Sequence, residues 1–227
     1  MKLSVIIPCF NELSTIRAIV KKVMDTSYNE KEIIIVDDGS TDGTRDVLKS
    51  EIEPLVTKVI YHDRNMGKGM AVRSAIKHIN GEITIIQDAD LETDPIEHSR
   101  LVNPIKNGKE LVVYGAREWS EAFRLSPVFV IGNTALTLVT NVLYNQKLTD
   151  METCNKAFDT RLLKSISLNC RGFDFEPEIT AKIAKCGIKI KEIPISYSPR
   201  KYSEGKKIRW VDGVIALWTL LKYRFVS

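Results

Sequence analysis

The chain has 227 residues, 44% of them hydrophobic and 27% charged, so it can bury a substantial core and is neither a disordered nor a fibrous protein. Its net charge of +4 is unevenly placed: from Ser198 onward seven Lys and Arg stand against two acids, a surplus of +5, which points to an anionic partner such as nucleotide phosphates or lipid headgroups. Nucleic acid is set aside, because the basic residues are not interleaved with stacking aromatics or a reading motif.

Residues 3–8 (LSVIIP) are predicted to form an apolar strand directly after Met1-Lys2, which leaves no signal-peptide pattern. A helix is expected from Asn11-Glu12 to about Thr26, with Ile16, Ile19, Val20 and Val23 at helical spacing. Residues 32–37 (EIIIVD) make a second strand, which runs into the polar turn Asp37 to Thr44 and a helix to about Glu51. Residues 58–61 suggest a third strand, linked through His62 to Gly69 to a helix ending near Ile79. Asn80-Gly81 turns into a strand at 83–87 that ends in the acidic cluster Asp88-Ala89-Asp90-Leu91-Glu92. After Asp94-Pro95 a helix extends to about Asn107, and strand 111–115 delivers Ala116-Arg117.

Arg124 to Tyr144 is long and apolar but interrupted by Pro127 and Gly132, and reads as too polar and broken to span a membrane. Residues 156–158 are strand-like, a short helix starts at Arg161, and Phe173 to Pro177 leads a helix to Lys185 that Gly187 caps. Strand 188–197, a basic loop from Ser198 to Lys207 and a helix from Ile208 to Phe225 complete the chain. The four cysteines, Cys9, Cys154, Cys170 and Cys186, have no metal-ligand spacing and read as reduced thiols of a cytosolic protein.

This strand–helix alternation, with strands apolar on both faces, argues for a mainly parallel α/β sheet covered by helices. Ligands of such sheets bind beyond the carboxyl ends of the strands, where Pro8 to Glu12, Asp37 to Thr44 and Asp88 to Glu92 all fall. Asp88, Asp90 and Glu92 can converge on one hard divalent cation. The same residues also read as a solvated acidic loop, with Asp94 capping the helix that follows. The glycine-bearing loop 65–69 fits neither GxGxxG nor GxxxxGK[ST], so dehydrogenase and P-loop chemistry are set aside. His62, His78 and His98 lie outside the key motifs, and histidine catalysis is not expected.

The motifs VIIPCFNE (5–12), IIIVDDGSTDGT (33–44), RNMGKGMAVRSAI (64–76), IIQDADLETDP (85–95), YGAR (114–117), TDMETCNKAF (149–158) and FEPEITAKIAKCG (175–187) cover most of the chain. In that order they resemble the family 2 glycosyltransferases of GT-A fold, most closely the polyprenol-phosphate sugar synthases of dolichyl-phosphate mannose synthase type. The resemblance implies a single Rossmann-like GT-A domain with a mixed, mainly parallel sheet. A nucleotide-binding half would span 1–117 and an acceptor-side half 118–207, with an amphipathic helix over 208–227. It implies an inverting hexosyltransferase that uses a donor of GDP-mannose or UDP-glucose type and a polyprenyl phosphate acceptor at the cytoplasmic membrane face. The alternatives are a soluble glycan or other hydroxyl acceptor, or a non-catalytic nucleotide-sugar-binding protein.

The implied donor residues are Pro8, Phe10, Asn11, Glu12, Val36, Asp38, Ser40, Lys68, Asp88 and Ala89, with Arg200, Ser203 and Lys206 on a basic loop over the diphosphate. Asp88 and Asp90 match the family's metal site for Mg²⁺ or Mn²⁺, and Glu92 falls where some relatives place a third ligand; whether it is a ligand or a bystander stays open. Arg117, and more loosely Arg124, are implied to contact the acceptor phosphate, a task suited to an arginine fork. Asp90, Arg117 and Asp150 are the implied catalytic residues. Asp150 would serve as base for a hydroxyl acceptor or orient acceptor or sugar, and Glu152 would bond sugar hydroxyls or play a structural part. A phosphate acceptor, with a second pKa of about 6, needs no strong base.

Many relatives carry transmembrane helices beyond this domain, which leaves room for a membrane protein partner. In this chain no stretch is read as reaching the roughly 20 apolar residues of a spanning helix. The last helix sets Ile208, Val211, Ile215, Trp218 and Leu221 on one face, flanked by Lys207, Arg209, Lys222 and Arg224. That pattern fits peripheral contact with a membrane through 208–226, and equally a helix packed on the core.

Overall fold

Strands β1 (Leu3–Cys9), β2 (Lys31–Asp37), β3 (Lys58–Tyr61), β4 (Ile83–Ile86), β5 (Val112–Arg117), β6 (Lys156–Asp159) and β7 (Lys191–Ile195) form one sheet in the order β3-β2-β1-β4-β6-β5-β7. The computed structural model describes residues 1–28, 30–119, 127–200, 205 and 207–226. β1 runs parallel to β2 and β4, and β2 to β3. β6 is antiparallel to both β4 and β5, and β5 is parallel to β7. One reversed strand thus joins two parallel groups, which makes the sheet mixed.

The near-continuous apolar runs of β1, β2 and β4 follow from burial on both faces. Val5, Ile7, Ile33, Ile35 and Ile85 face one core layer, and Ile6, Ile34, Val36 and Ile86 face the other, with the period of two that a strand imposes. The first layer is closed by Ile16, Ile19, Val20 and Val23 of α1 (Ile16–Asp25) and by Leu101, Val102 and Ile105 of α4 (His98–Lys106). The second is closed by Ala71, Val72 and Ala75 of α3 (Lys68–Ile76) and by Phe175, Ile179 and Ile183 of α7 (Phe175–Lys185). Each Val, Leu, Ile or Phe side chain among them contributes about 1.5–3 kcal/mol when fully buried. The short helices α2 (Thr44–Val47) and α6 (Thr160–Ser165) close the turns after β2 and β6.

The first helix begins at Ile16, where its apolar spacing begins, and not at Asn11-Glu12 as expected. Asn11 sits in the left-handed region at φ 49°, and the Glu12 carbonyl accepts the first helical bonds from Thr15 and Ile16. β7 is likewise shorter than the expected 188–197.

The expectation of a broken stretch after Arg124 is corrected. α5 (Pro127–Tyr144) is one continuous helix, long and apolar enough by length and composition to cross a membrane, with 28% of it buried. Pro127 takes the helix's first position, where its missing N–H costs nothing. Gly132 costs about 1 kcal/mol relative to alanine without breaking the helix. α5 also packs inside out: it buries Asn133, Thr137 and Thr140 with Val130 and Tyr144, and turns Val128, Ile131, Leu138 and Val142 outward. α8 (Trp210–Phe225) packs beside α5 and α7 through Leu220 and Tyr223, and the Tyr144 hydroxyl donates to the Leu220 carbonyl at 2.6 Å. Its predicted face is outward, with Val211, Ile215, Trp218 and Leu221 all exposed, along with Trp210 and Phe225.

Candidate active site

The carboxyl ends of β1, β2, β4 and β5 open into one cleft of about 390 Å³, within the size range of small-ligand sites. The structure brings Pro8, Phe10, Glu12, Asp38, Lys68, Asp88, Ala89, Asp90, Glu92, Arg117 and Arg200 to its walls. Arg124, Ser203 and Lys206 lie outside the described residues.

Asn11, Val36 and Ser40, also expected to contact the donor, are not among the residues that line the cleft. Val36 is fully buried in the core of β2. Ser40 Oγ accepts the Asn11 N–H at 2.9 Å and Asn11 Oδ1 accepts the Thr41 N–H at 2.8 Å, so these two residues lock the loops after β1 and β2 together. Asp38 reaches the cleft but spends its acceptors on the loop behind it. It takes N–H groups from Met66 and Gly67 at 2.9 and 2.7 Å and pairs with His62 Nδ1 at 2.6 Å. That loop presses so closely on Gly39, at φ 79°, that a Cβ there would stand 2.4 Å from the Arg64 backbone.

The acidic turn after β4 is pinned from behind. Gln87 Nε2 donates to Thr93 Oγ1 at 3.2 Å, and its Oε1 meets His98 Nε2 at 2.8 Å. His98 is buried, which pushes its pKa down to about 3 and keeps it neutral. Asp94 caps the next helical turn through the Ile96 N–H at 3.0 Å, as the Asp-Pro pair suggests. The Asp90 carboxyl is pushed up to about 7 by burial and by its neighbours Asp88 and Glu92, against the pull of Arg200. Such crowding of oxygen ligands is the chemistry of a hard-cation site, and in this respect the residues fit Mg²⁺ or Mn²⁺.

The site is not drawn together as a ready metal cage, and no such cluster forms among the described residues. Protein cations hold the carboxylates instead. Lys68 Nζ lies 2.8 Å from Asp88 and 3.1 Å from Glu176, while Arg200 meets Glu12 at 3.0 Å, Asp90 at 3.2 Å and Glu92 at 3.7 Å. Lys207 also pairs with Glu12, so the Glu12 carboxylate is committed to two basic groups. Glu92 further accepts the Tyr197 hydroxyl at 2.8 Å and the Arg200 N–H at 3.0 Å, which ties the segment after β7 to the acidic turn.

Asp150 lies behind the cleft wall. It is fully buried and does not line the cleft. Its carboxylate takes Arg117 Nε and Nη2 at 2.7 and 2.8 Å, the Arg117 N–H at 3.0 Å and Asn133 Nδ2 at 3.1 Å. A carboxylate saturated in this way orients Arg117 and has no lone pair directed at substrate. Arg117 does line the cleft, flanked by Trp119 at 4.4 Å and Tyr197 at 5.2 Å. Burial lowers its basicity, but Asp150 more than restores it and keeps Arg117 charged.

Sequence reasoning left Glu176 and Lys207 out of the site and Glu152 undecided, yet all three line the cleft. Glu176 joins Lys68 to the fully buried Lys156, at 3.1 and 2.6 Å. The available signal was the recurrence of carboxylates within the motifs TDMETCNKAF and FEPEITAKIAKCG, which lie beside a buried lysine in the fold.

The profile of the family described as "Glycosyl transferase family 2" matches residues 4–166. The chain is 28% identical over 237 residues to the UDP-N-acetylglucosamine–dolichyl-phosphate N-acetylglucosaminyltransferase of Methanococcus voltae, covering 95% of this chain and 93% of that protein. It is 25% identical to the glycosyltransferase AglJ of Haloferax volcanii over 86% of this chain, and spans only 63% of that relative's length. Among solved structures, glucosyl-3-phosphoglycerate synthase from Mycobacterium tuberculosis, in complex with Mn²⁺, UDP and glucosyl-3-phosphoglycerate, superimposes with a TM-score of 0.75 at 19% identity, over 100% of this chain and 81% of that one. That likeness establishes the GT-A fold.

Proposed function

We propose that this chain, which belongs to glycosyl transferase family 2, moves a hexose from a nucleotide sugar to a polyprenyl phosphate, with inversion, at a membrane surface. The observation that carries the reading is a juxtaposition. One cleft holds the acidic turn and a fixed Arg117, and it is bordered by Phe129 of α5 and by Ile208 and Arg209 just before α8. Those are the two helices whose apolar sides face outward. An acceptor with a phosphate head and a hydrocarbon tail matches both surfaces, and the dolichyl-phosphate relative supports the same acceptor class.

Asp88 and Asp90, with Glu92, are the residues that would hold Mg²⁺ or Mn²⁺, which when bound supplies Lewis-acid stabilisation of the nucleoside diphosphate leaving group. Arg117 would hold the acceptor phosphate in line with the anomeric carbon. A phosphate oxygen forms the new bond to that carbon as the bond to the diphosphate breaks, and the nucleotide departs with the electron pair. The acceptor is mostly dianionic at neutral pH and requires no general base, in keeping with an Asp150 that is fully occupied by Arg117. A hydroxyl acceptor would need a base, and Asp150 is not free to be one.

The test is turnover of UDP-glucose, UDP-N-acetylglucosamine and GDP-mannose with a short polyprenyl phosphate in Mn²⁺ or Mg²⁺. The expected product is a polyprenyl-phosphate sugar of inverted anomeric configuration. Transfer to a soluble hydroxyl acceptor with the lipid phosphate inert would overturn the reading. The outward faces of α5 and α8, with Lys207, Arg209, Lys222 and Arg224 beside them, support peripheral attachment to the cytoplasmic leaflet. Flotation with anionic vesicles should therefore be lost in Trp218→Asp, and equal flotation of that variant would refute attachment through α8.

A further inference from the structure

We propose that Glu152 reads a ring hydroxyl of the donor hexose, an inference that rests on the glycosyltransferase reading above. Its place in the fold comes first. Glu152 lies on the turn before β6, and β6 is the strand hydrogen-bonded to β4, whose end carries the acidic turn. A donor whose nucleoside lies toward the loops of β1 and β2, and whose diphosphate meets the acidic turn, extends its sugar past β4 toward β6. The cleft wall on that side is formed by Glu152, Cys154 and Glu176.

The turn holds Glu152 firmly. Lys156 Nζ donates to the carbonyls of Met151, at 3.0 Å, and Thr153, the residues on either side of Glu152. Thr153 Oγ1 donates to the Gly115 carbonyl at 2.5 Å. The side chain is partly open to the cleft, yet Oε1 is shielded from solvent and has no hydrogen-bond partner. A buried acceptor left in that state costs about 1–3 kcal/mol until a ligand satisfies it.

The neighbouring charges are already committed. Arg117 is paired with Asp150, and Lys68 and Lys156 with Glu176. Among the described residues these cations are paired elsewhere, and the Glu152 carboxyl is pushed up to about 8 by burial and by Glu176 and Asp150, against Lys156 and Arg117. At neutral pH it stands as a carboxylic acid, one O–H donor beside a carbonyl acceptor, which is the complement of a hydroxyl that both gives and accepts. Glu176 cannot take the same part, because Lys68 and Lys156 ion-pair both of its oxygens. A site built to bond a hydroxyl discriminates strongly against a sugar that lacks it or presents it on the other face.

Calorimetric titration of UDP, GDP, UDP-glucose, UDP-N-acetylglucosamine and GDP-mannose in Mn²⁺ against wild type, Glu152→Ala and Glu152→Gln tests this. Wild type should bind one nucleotide sugar more tightly than its free diphosphate. Glu152→Ala should lose about tenfold in affinity for that sugar nucleotide, the size of one hydrogen bond, and keep its diphosphate affinity within about twofold. Glu152→Gln, which retains a donor and an acceptor, should fall between the two. Neither variant should melt below wild type at pH 8, since Glu152→Ala removes the unsatisfied buried carboxyl and Glu152→Gln removes its ionisation in the unfolded chain. Wild-type affinity for the sugar nucleotide in Glu152→Ala, or equal loss for sugar nucleotide and free diphosphate, overturns the inference. A folded wild type that binds none of the nucleotide sugars refutes the glycosyltransferase reading itself, and with it any sugar for Glu152 to read. The two failures are distinguishable, because one is seen in wild type and the other only in the variants.

Discussion

Arg117 and Arg200 both reach the cleft with their guanidinium groups on carboxylates, yet they are held in opposite ways. Arg117 forms a two-pronged bond to the fully buried Asp150 at 2.7 and 2.8 Å, with its own N–H and Asn133 completing the acceptor. Arg200 stretches over three carboxylates, Glu12, Asp90 and Glu92, at 3.0 to 3.7 Å. In the first pair charge is matched one to one and every acceptor is filled. In the second, negative charge exceeds what the guanidinium neutralises, and the Asp90 carboxyl is pushed up toward neutrality by burial and by its neighbours. A saturated buried pair is scaffold, whereas a surplus of carboxylate around one side chain is room for a second cation.

The largest expected effect lies in the first pair. Asp150→Ala leaves Arg117 buried without its counter-charge and should destabilise the fold by about 3–5 kcal/mol, read as a lower urea midpoint. Asp150→Asn should be milder in stability and should raise KM for the polyprenyl phosphate while leaving KM for the donor near wild type. A wild-type urea midpoint for Asp150→Ala would end the distinction between the two arginines. The second pair should respond in the opposite sense. Arg200→Ala removes a competitor for Asp90 and should tighten Mn²⁺ binding in the absence of nucleotide by about threefold to fivefold, the scale of a partly exposed ion pair. Arg117→Ala should leave that Mn²⁺ affinity unchanged, and weaker Mn²⁺ binding by Arg200→Ala would show that Arg200 supports the site rather than fills it.

The sequence carried the fold well wherever structure follows from local pattern. The apolar runs of β1, β2 and β4 announce strands buried on both faces, and the loops at their carboxyl ends do meet at one cleft. It carried less wherever a side chain's partner is far along the chain. Nothing near Asp150 signals that Arg117, 33 residues away, fills its carboxylate, so from the sequence the residue reads as a base for a hydroxyl acceptor or as an orienting group. Glu12 reads as a donor residue, and its pairing with Lys207, 195 residues distant, is not visible from the sequence. α5 misled for a different reason. Asn133, Thr137 and Thr140 look like interruptions of an apolar run, but they form the buried side, with Asn133 on Asp150 and Thr137 accepting the Met151 N–H at 3.1 Å.

A pH-dependent effect follows from how completely Arg117 is used. With Arg117 on Asp150 and both lysines on Glu176, Glu152 keeps its proton up to about 8, while in the unfolded chain a glutamate releases it near 4.3. Between those values the folded protein binds more protons than the unfolded one, so this residue's contribution makes stability fall as pH rises from about 4.5 to about 8 and stay level above. A carboxylate held low behaves in the reverse way. Glu32, whose carboxyl burial would raise but the Asn80 N–H, Lys2 and Ser4 hold at about 2, adds stability that is lost only as pH falls from 4.5 toward 2. Glu152→Gln cannot titrate, so its melting temperature should gain on wild type steadily between pH 5 and pH 8 and hold that lead at higher pH. A difference that does not vary with pH would mean that Glu152 is ionised in the folded protein, and that some cation assigned to another partner is serving it instead.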